Sequence, residues 1–535
     1  MSEPASNIDQ SNSKTAPDEE GVLAARRKKL QQLVELGHDP WGYRFDDRSL
    51  IDDIRRMQTA IQYVLEDGTK VDLPLAEELE DLDFKDWKAG QGSGTLQGPK
   101  VRAAGRIMLQ RGQGKLTFLN IQDWTGGIQL FVGKNQVGDE NWQLIQCLDL
   151  GDLVGVDGEL RRTNTGELSI FADRVHILCK TLDPPPAKHK GLQDPELRQR
   201  RRYVDLAYNE GTRERFLNRS RIVQSIRQTL TDQEFVEIEG PTLHDIPGGA
   251  AARPFVTHHN TLDLELYMRI ALELHLKRLM VGGMERVFEL GRVYRNEGIS
   301  PKHNPEFTMM EVYQAYGNYE SMMELTEAMI ANALQAIGAP AVVPWGDKQI
   351  DFSTPFARIP YDQLLEKHTG VDPNDVTAVK DYAQSIGLEI EGKHADVIKN
   401  EVFEARVEDE LSGPVFVIDY PASICPLTKR KSDNPKIAER FELFIDGMEL
   451  ANAYTELNDP DLQEQLFKTQ LQGMPDEDSM AKMDHDFVRA LRNGMPPAGG
   501  LGLGIDRLVM LLTNSQTIRE VILFPLLRPE TNPGG

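Results

Sequence analysis

The sequence predicts an α+β protein in which a small β-barrel precedes a larger, sheet-based domain. Three observations carry that expectation. Short alternating runs between 101 and 178 read as barrel strands, two long hairpins follow at 287–316 and 440–457, and a glycine-rich strand opens into a helix at 499–515. The 535 residues allow two or three domains, at about 100–200 residues each.

Taken in order, the first 20 residues are polar and acidic, unlike a signal or transit peptide, and read as a disordered tail. An amphipathic helix is expected at 22–36, with Arg26, Arg27, Lys28 and Lys29 near its start. Residues 38–97 are mixed and acidic, so 21–97 reads as a helical and acidic extension ending near Gly90-Gln91-Gly92-Ser93-Gly94.

From Val101 the runs VRAAGRIML, LTFLNIQD and GIQLFVG read as strands, DENWQLIQCL as a helix, and DLVGVDGEL and LSIFADRVHIL as strands again. Five strands with a helix between the third and fourth is the order of an OB-fold barrel, placed at 98–182. Lys100, Arg102, Arg106, Arg111 and Lys115 cluster on it. Like the cluster on the helix, they form either a basic face or an ordinary solubilising surface. Asp183-Pro184-Pro185-Pro186 opens a stiff linker at 183–200, and a helical segment at 195–206 leads into an α+β domain at 201–530. Within that domain, 355–413 reads as a mainly helical insertion.

The formal charge of −24 argues against wholesale coating by nucleic acid but leaves room for a local basic face. Cys147, Cys179 and Cys425 have no paired spacing, so neither a disulfide framework nor a cysteine zinc site is expected, and a reducing cytoplasm fits. No apolar run approaches the roughly 20 residues of a membrane span. Gly112-Gln113-Gly114-Lys115 lacks the spacing of a phosphate loop and reads as a hairpin turn, and GLGLG at 500–504 lacks the gap of the dinucleotide fingerprint.

The first hairpin carries the chemistry. Arg295 and Glu297 lie on its first arm, and Phe307, Met309, Glu311 and Tyr313 alternate along its second. Side chains alternate along a strand, so one face presents acid, base and aromatic groups together. A solvated sheet face is the ordinary alternative, but the mixture suits a nucleotide.

The second hairpin, RFELFIDGMELANAYTEL, turns at Asp446-Gly447. A two-residue turn pairs Ile445 with Met448 and sets Glu442 opposite Ala451, with Glu449 diagonal to it. Converging carboxylates repel unless a cation joins them, so Mg²⁺ is the natural reading, with two surface glutamates as the alternative. Asn452, Tyr454 and Glu456 have the opposite parity, and they reach the same face only if a bulge lies near Ala451. In the last element, the glycines let a ligand approach the backbone. Arg507 falls in the first turn of the helix after them, where its charge adds to the positive helix end and favours a phosphate. A salt bridge to a nearby carboxylate is the alternative.

These hairpins and the glycine strand with its arginine-bearing helix resemble the motifs of class II aminoacyl-tRNA synthetases. RNEGIS…HNPEFTMMEVY and NAYTELND are similar to the lysyl-tRNA synthetases within that class. The resemblance runs from about 101 to 529 and implies an antiparallel-sheet catalytic domain behind an OB-fold anticodon-binding domain. It implies that ATP activates L-lysine to lysyl-adenylate, with Mg²⁺, and that lysine then passes to the 3′ end of tRNA(Lys). Arg295 would bridge lysine carboxylate and α-phosphate; Glu297, His303, Asn304 and Phe307 would hold ATP; Arg507 would grip the γ-phosphate and Glu442 and Glu449 the metal. For lysine, Gly249 and Glu273 would meet the α-ammonium, Asn452 the carboxylate, Tyr454 the stem, and Glu456 and Tyr313, with Glu311, the ε-ammonium. Arg111, Phe118, Gln129 and Glu167 would read the anticodon, although burial in the barrel is an alternative for Phe118. Pro241 matches the family's dimer-interface motif, which implies a homodimer, with a plain loop proline as the alternative; a cytoplasmic location is implied as well, and the helix at 22–36 resembles the family's tRNA-contacting helix.

The sequence departs from the family at Lys302, where arginine is usual, at Tyr454, where phenylalanine is common, and at Ala451, where glycine is common. Two other readings compete. A paralogue that attaches lysine to a protein typically lacks the barrel and replaces the glycine at 502, and this chain keeps both. A non-catalytic RNA-binding relative would have lost Arg295, Arg507, Glu442 or Glu449, and all four are present.

Overall fold

The computed structural model describes residues 19–74, 82–186, 191–250, 252–472 and 484–529. The expected tail lies, up to residue 18, outside the described residues. Two compact units emerge, 1–191 and 192–535.

In the first unit the amphipathic helix is Glu19–Glu35. Half of its basic cluster is structural. Arg26 is buried and donates to the carbonyls of Leu150 and Thr181, each at 2.9 Å, while Lys29 pairs with Asp149 at 2.6 Å. Only Arg27 and Lys28 stay exposed, so the cluster is neither a four-residue basic face nor wholly a solubilising surface. The acidic stretch after the helix holds a three-stranded antiparallel sheet, Lys70–Asp72, Gln62–Leu65 and Gly94–Gln97, beside the helix Phe84–Gln91. The glycine run near 90–94 joins that helix to the last strand of the sheet.

The barrel is closed, in the order Lys100–Gln113, Leu116–Gln122, Gly127–Gly133, Leu168–Cys179 and Leu153–Arg162. The helix Lys134–Gln146 lies between its third and fourth strands in sequence. Alternation sends Thr117, Leu119 and Ile121 inward and leaves Phe118 and Asn120 on the outer surface. The Gly112–Lys115 motif is a hairpin turn, with Gly114 at φ 60°. Three of the five basic residues here are committed to the fold: Lys100 to Asp173, Arg102 to Asp157 and Arg106 to the Gly151 carbonyl.

The second unit is built on an eight-stranded sheet. Its order is Ala357–Pro360, Val415–Ile418, Arg440–Ile445, Met448–Thr455, Ala498–Gly504, Glu306–Ala315, Arg286–Tyr294 and Val236–Glu237. All pairs are antiparallel except the two at the edges. The helices Thr212–Thr231 and Tyr319–Ala336 cover one face, packing Ile222, Ile226, Met322 and Met329 against Phe288, Met310, Val312, Leu501 and Leu503. Burying those even-numbered residues of the first hairpin turns its odd-numbered ones to the opposite face. The helical segment expected at 195–206 is two helices, Pro195–Arg200 and Arg202–Tyr208, broken at Arg201. The insertion has its own core, but its first strand extends the main sheet beside Val415–Ile418.

Candidate active site

The open face of the sheet holds a cavity of about 450 Å³. The first hairpin pairs Val293 with Phe307, Gly291 with Met309 and Val287 with Tyr313, so Phe307, Met309, Glu311 and Tyr313 line up along the cavity. Arg295 and Glu297 reach it from beyond the first arm. Arg295 lies over the Phe307 ring, 5.2 Å from its centroid. Burial lowers its pKa, and the carboxylates of Glu449, Glu297 and Glu311 oppose that shift. The cationic form is therefore held in place by acids on several sides.

The second hairpin contains a bulge. Ile445 faces Met448 and Phe444 faces Glu449, but Leu443 faces Ala451, which leaves Leu450 as the extra residue. Glu442 consequently faces Asn452, not Ala451 as the regular pairing predicts. The extra residue restores the parity of Asn452 and Tyr454, so both line the cavity with Glu442 and Glu449. Glu442 is not a bare carboxylate. It accepts a hydrogen bond from the Tyr420 hydroxyl at 2.7 Å and is ion-paired with Arg440. Burial and the nearby Glu449 push its pKa up, against the pull of Arg440.

The glycine strand Ala498–Gly504 lies between the two hairpins and leads into the helix Ile505–Leu512. Buried Asp506 fixes that helix, accepting from the Thr308 backbone at 2.7 Å and from Arg219 at 2.5 Å. Arg507 is thereby aimed at the cavity. It donates to the Glu449 carbonyl at 2.5 Å and to His303 Nε2 at 3.0 Å, and its distance to the Glu449 carboxylate is 3.7 Å. Burial and Arg507 both lower the pKa of His303, which favours the neutral ring. Asn304 is buried, donates to the Glu306 carbonyl at 2.7 Å, and keeps a buried Oδ1 without a hydrogen-bond partner. Lys302 donates to the Gly447 carbonyl at 3.1 Å and reaches the same cavity.

At the other end the cavity is acidic and aromatic. Gly249, at φ 85°, packs its backbone beside Glu273, where an added Cβ would stand 3.3 Å from the Glu273 Cβ. Glu311 accepts from the Leu272 backbone at 2.9 Å and the Tyr313 hydroxyl at 3.0 Å. Burial, reinforced by Glu273, pushes its pKa to about 7. The Tyr454 hydroxyl donates to Glu273 at 3.3 Å.

Glu456 differs from the other predicted residues. It is wholly buried and lies behind the cavity wall, where it is ion-paired with Lys277. Lys277 also meets Glu273 at 2.5 Å. The sequence reading missed Lys277, yet a signal exists: Glu273 and Lys277 stand four apart on one face of a helix, Glu273–Val281, that is otherwise rich in leucine. Arg440 was missed as well, because an arginine beside an expected metal site offers no sequence cue.

On the barrel, Arg111, Phe118, Phe131 and Phe171 stand side by side across neighbouring strands. Phe118 meets Phe131 edge-on at 5.4 Å, and Phe131 stacks on Phe171 at 4.4 Å. Gln129 donates to Ser169 at 2.9 Å, and Glu167 is exposed in the turn before that strand.

Comparison with known proteins agrees with both halves. The sequence model of a family described as "tRNA synthetases class II (D, K and N)" matches residues 194–528, and one described as "OB-fold nucleic acid binding domain" matches 101–178. A curated "Lysine--tRNA ligase" of Moorella thermoacetica is 46% identical over 518 residues, 96% of this chain and 99% of that protein. A protein of the same name from Staphylococcus aureus is 46% identical over 512 residues, 95% of this chain and 98% of its own length.

Proposed function

We propose residue roles for the cavity from one premise: the chain belongs to the class II tRNA synthetases and, among them, to the lysine–tRNA ligases. It is an ATP-using ligase that attaches lysine to tRNA. What supports the assignment of roles is a cavity with two opposite ends. Arg507 and His303 stand at one, the buried acids Glu273 and Glu311 at the other, and Arg295 feels charges from both.

In activation, a carboxylate oxygen of lysine attacks the α-phosphorus, the bond to the β-phosphate oxygen breaks, and diphosphate leaves with the electron pair. A carboxylate is already a nucleophile at neutral pH, so no side-chain base is required. Positioning and charge stabilisation supply the catalysis. Arg295, assisted by Asn452, holds the lysine carboxylate and steadies charge growing on the α-phosphate. Phe307 offers its ring to adenine, Asn304 Oδ1 and Glu297 add polar contacts to ATP, and Arg507 with His303 takes the γ-phosphate. Gly249 and Glu273 receive the α-ammonium, Tyr454 flanks the stem, Glu311 and Tyr313 receive the ε-ammonium, and Glu456 acts on that end from behind the cavity wall. In transfer, a hydroxyl of the terminal ribose attacks the lysyl carbonyl and AMP departs.

Glu442 and Glu449 would hold a Mg²⁺ ion: both carboxylates line the cavity, and burial together with Glu449 raises Glu442. The ion would neutralise phosphate charge while the protein residues hold geometry. On the barrel, Phe118 gives an unpaired base a stacking surface beside Arg111, and Gln129 and Glu167 offer donors and acceptors to base edges.

We read the assembly as a homodimer. Val236, Leu243, Val256 and Leu264 are between 43% and 52% exposed around the edge strand and Pro241, an apolar surface that suits a second copy. Cytoplasmic location is supported by three free cysteines. Lysine-dependent exchange between ATP and diphosphate, followed by charging of tRNA(Lys), tests the reading; exchange that does not depend on lysine would overturn it.

A further inference from the structure

Lys277 is a lysine with no access to solvent in the wall of a pocket assigned to lysine. Its ammonium touches Glu273 from its own helix at 2.5 Å and is ion-paired with Glu456 from the second hairpin. Its Nζ also stands 5.7 Å from the centroid of the Tyr454 ring. Glu311 and Tyr313 approach the same acidic group from the first hairpin, and Arg440 and Arg295 are the other cations nearby. Gly500 makes this arrangement possible, because any Cβ there would collide with Glu456 Oε1 and come within 2.7 Å of the Tyr313 ring.

Three buried carboxylates, Glu273, Glu311 and Glu456, lie within electrostatic reach of one another, and one resident ammonium pairs with two of them, Glu273 and Glu456. Left alone, three like charges in a low-dielectric site would drive protonation of at least one. Once all three are ionised, Lys277 offsets one charge and leaves two, equal to the two ammonium groups that lysine brings. The substrate carboxylate is left to Arg295.

We propose that Lys277 is a positioning residue that fixes the charge of the substrate pocket, bracing Glu273 and Glu456 and reserving two negative charges for the two ammonium groups of the amino acid. It touches no reacting atom. It acts through the carboxylates it holds, and the proposal rests on the lysine-pocket assignment above. Glu456 is raised by burial, and Lys277 works against that rise; removing Lys277 lets Glu456 stay protonated to higher pH.

The test uses the full-length enzyme in lysine-dependent exchange across roughly pH 6 to 9, with Lys277→Met and Lys277→Arg. Methionine keeps the unbranched shape and most of the length of the side chain and removes its charge. The expected result is a lysine KM raised about tenfold with an ATP KM within about twofold, and a pH midpoint for lysine KM moved up by about one unit. Lys277→Arg should keep the midpoint near that of the native enzyme, and it carries the test if the methionine variant fails to fold. A Lys277→Met enzyme with an unshifted lysine profile, equal losses toward both substrates, or an arginine variant whose midpoint moves by about a unit would each overturn the proposal. Absence of lysine-dependent exchange in the native enzyme would instead remove the pocket assignment itself.

Discussion

Glu442 faces Asn452 across the second hairpin, and that pairing exists only because Leu450 is an extra residue in its strand. Without the bulge, Asn452 and Tyr454 would turn toward the helix-covered side of the sheet, away from Arg295. One extra residue therefore lets Glu449 and Asn452, on a single strand, line the same cavity.

Gly500→Ala should damage the lysine half of the site selectively. An added methyl group meets Glu456 Oε1 and the Tyr313 ring, both buried and closely packed. We expect the lysine KM to rise at least about tenfold, about 1.4 kcal/mol of binding, while the ATP KM changes little. Steady-state exchange kinetics with each substrate varied in turn checks this, and an unchanged lysine KM would contradict it.

Lysine binding should strengthen as pH rises through about 7, the value to which burial pushes Glu311. Only the ionised carboxylate attracts an ammonium, so lysine KM should fall as pH rises through about 7. The folding linkage has the opposite sign. A carboxylate raised from 4.5 to about 7 favours the ligand-free fold most fully below 4.5, and that contribution is lost as pH rises through about 7. Lysine should accordingly raise the melting temperature more at pH 8 than at about pH 6. A pH-independent shift would argue against Glu311 as an ammonium partner.

Phe118→Ala should weaken tRNA charging and spare activation. Its ring lies on the outer surface of the barrel beside Arg111 and Phe131. Loss of one stacked base is worth about 1–3 kcal/mol, so kcat/KM for tRNA should fall roughly 5- to 150-fold. Exchange of ATP with diphosphate should keep its native rate. Equal loss in both assays would indicate a folding defect in the barrel.

Much of this was legible in the sequence because period-two alternation survives wherever one face of a strand is buried. It exposed the barrel strands, the first hairpin and, through the parity conflict at Asn452, the bulge itself. Helix-end reasoning placed Arg507 correctly in its first turn. What stayed hidden depends on long-range partners. Nothing local distinguishes Arg26 and Lys29, which hold a helix in place, from Arg27 and Lys28, which face solvent. The sheet inside the acidic extension has strands of three or four residues, too short for a periodic signal. Lys277 reads as an ordinary surface partner of Glu273 until Glu456 arrives from 179 positions further along the chain.

Recognition of lysine through buried carboxylates in this cavity is tested most directly by Glu456→Gln. The substitution keeps size and removes charge from a group with no solvent exposure. Measured by exchange kinetics, the lysine KM should rise far more than the ATP KM, because one half of the site loses an ion partner and the other is untouched. Equal effects on the two constants would contradict the claim.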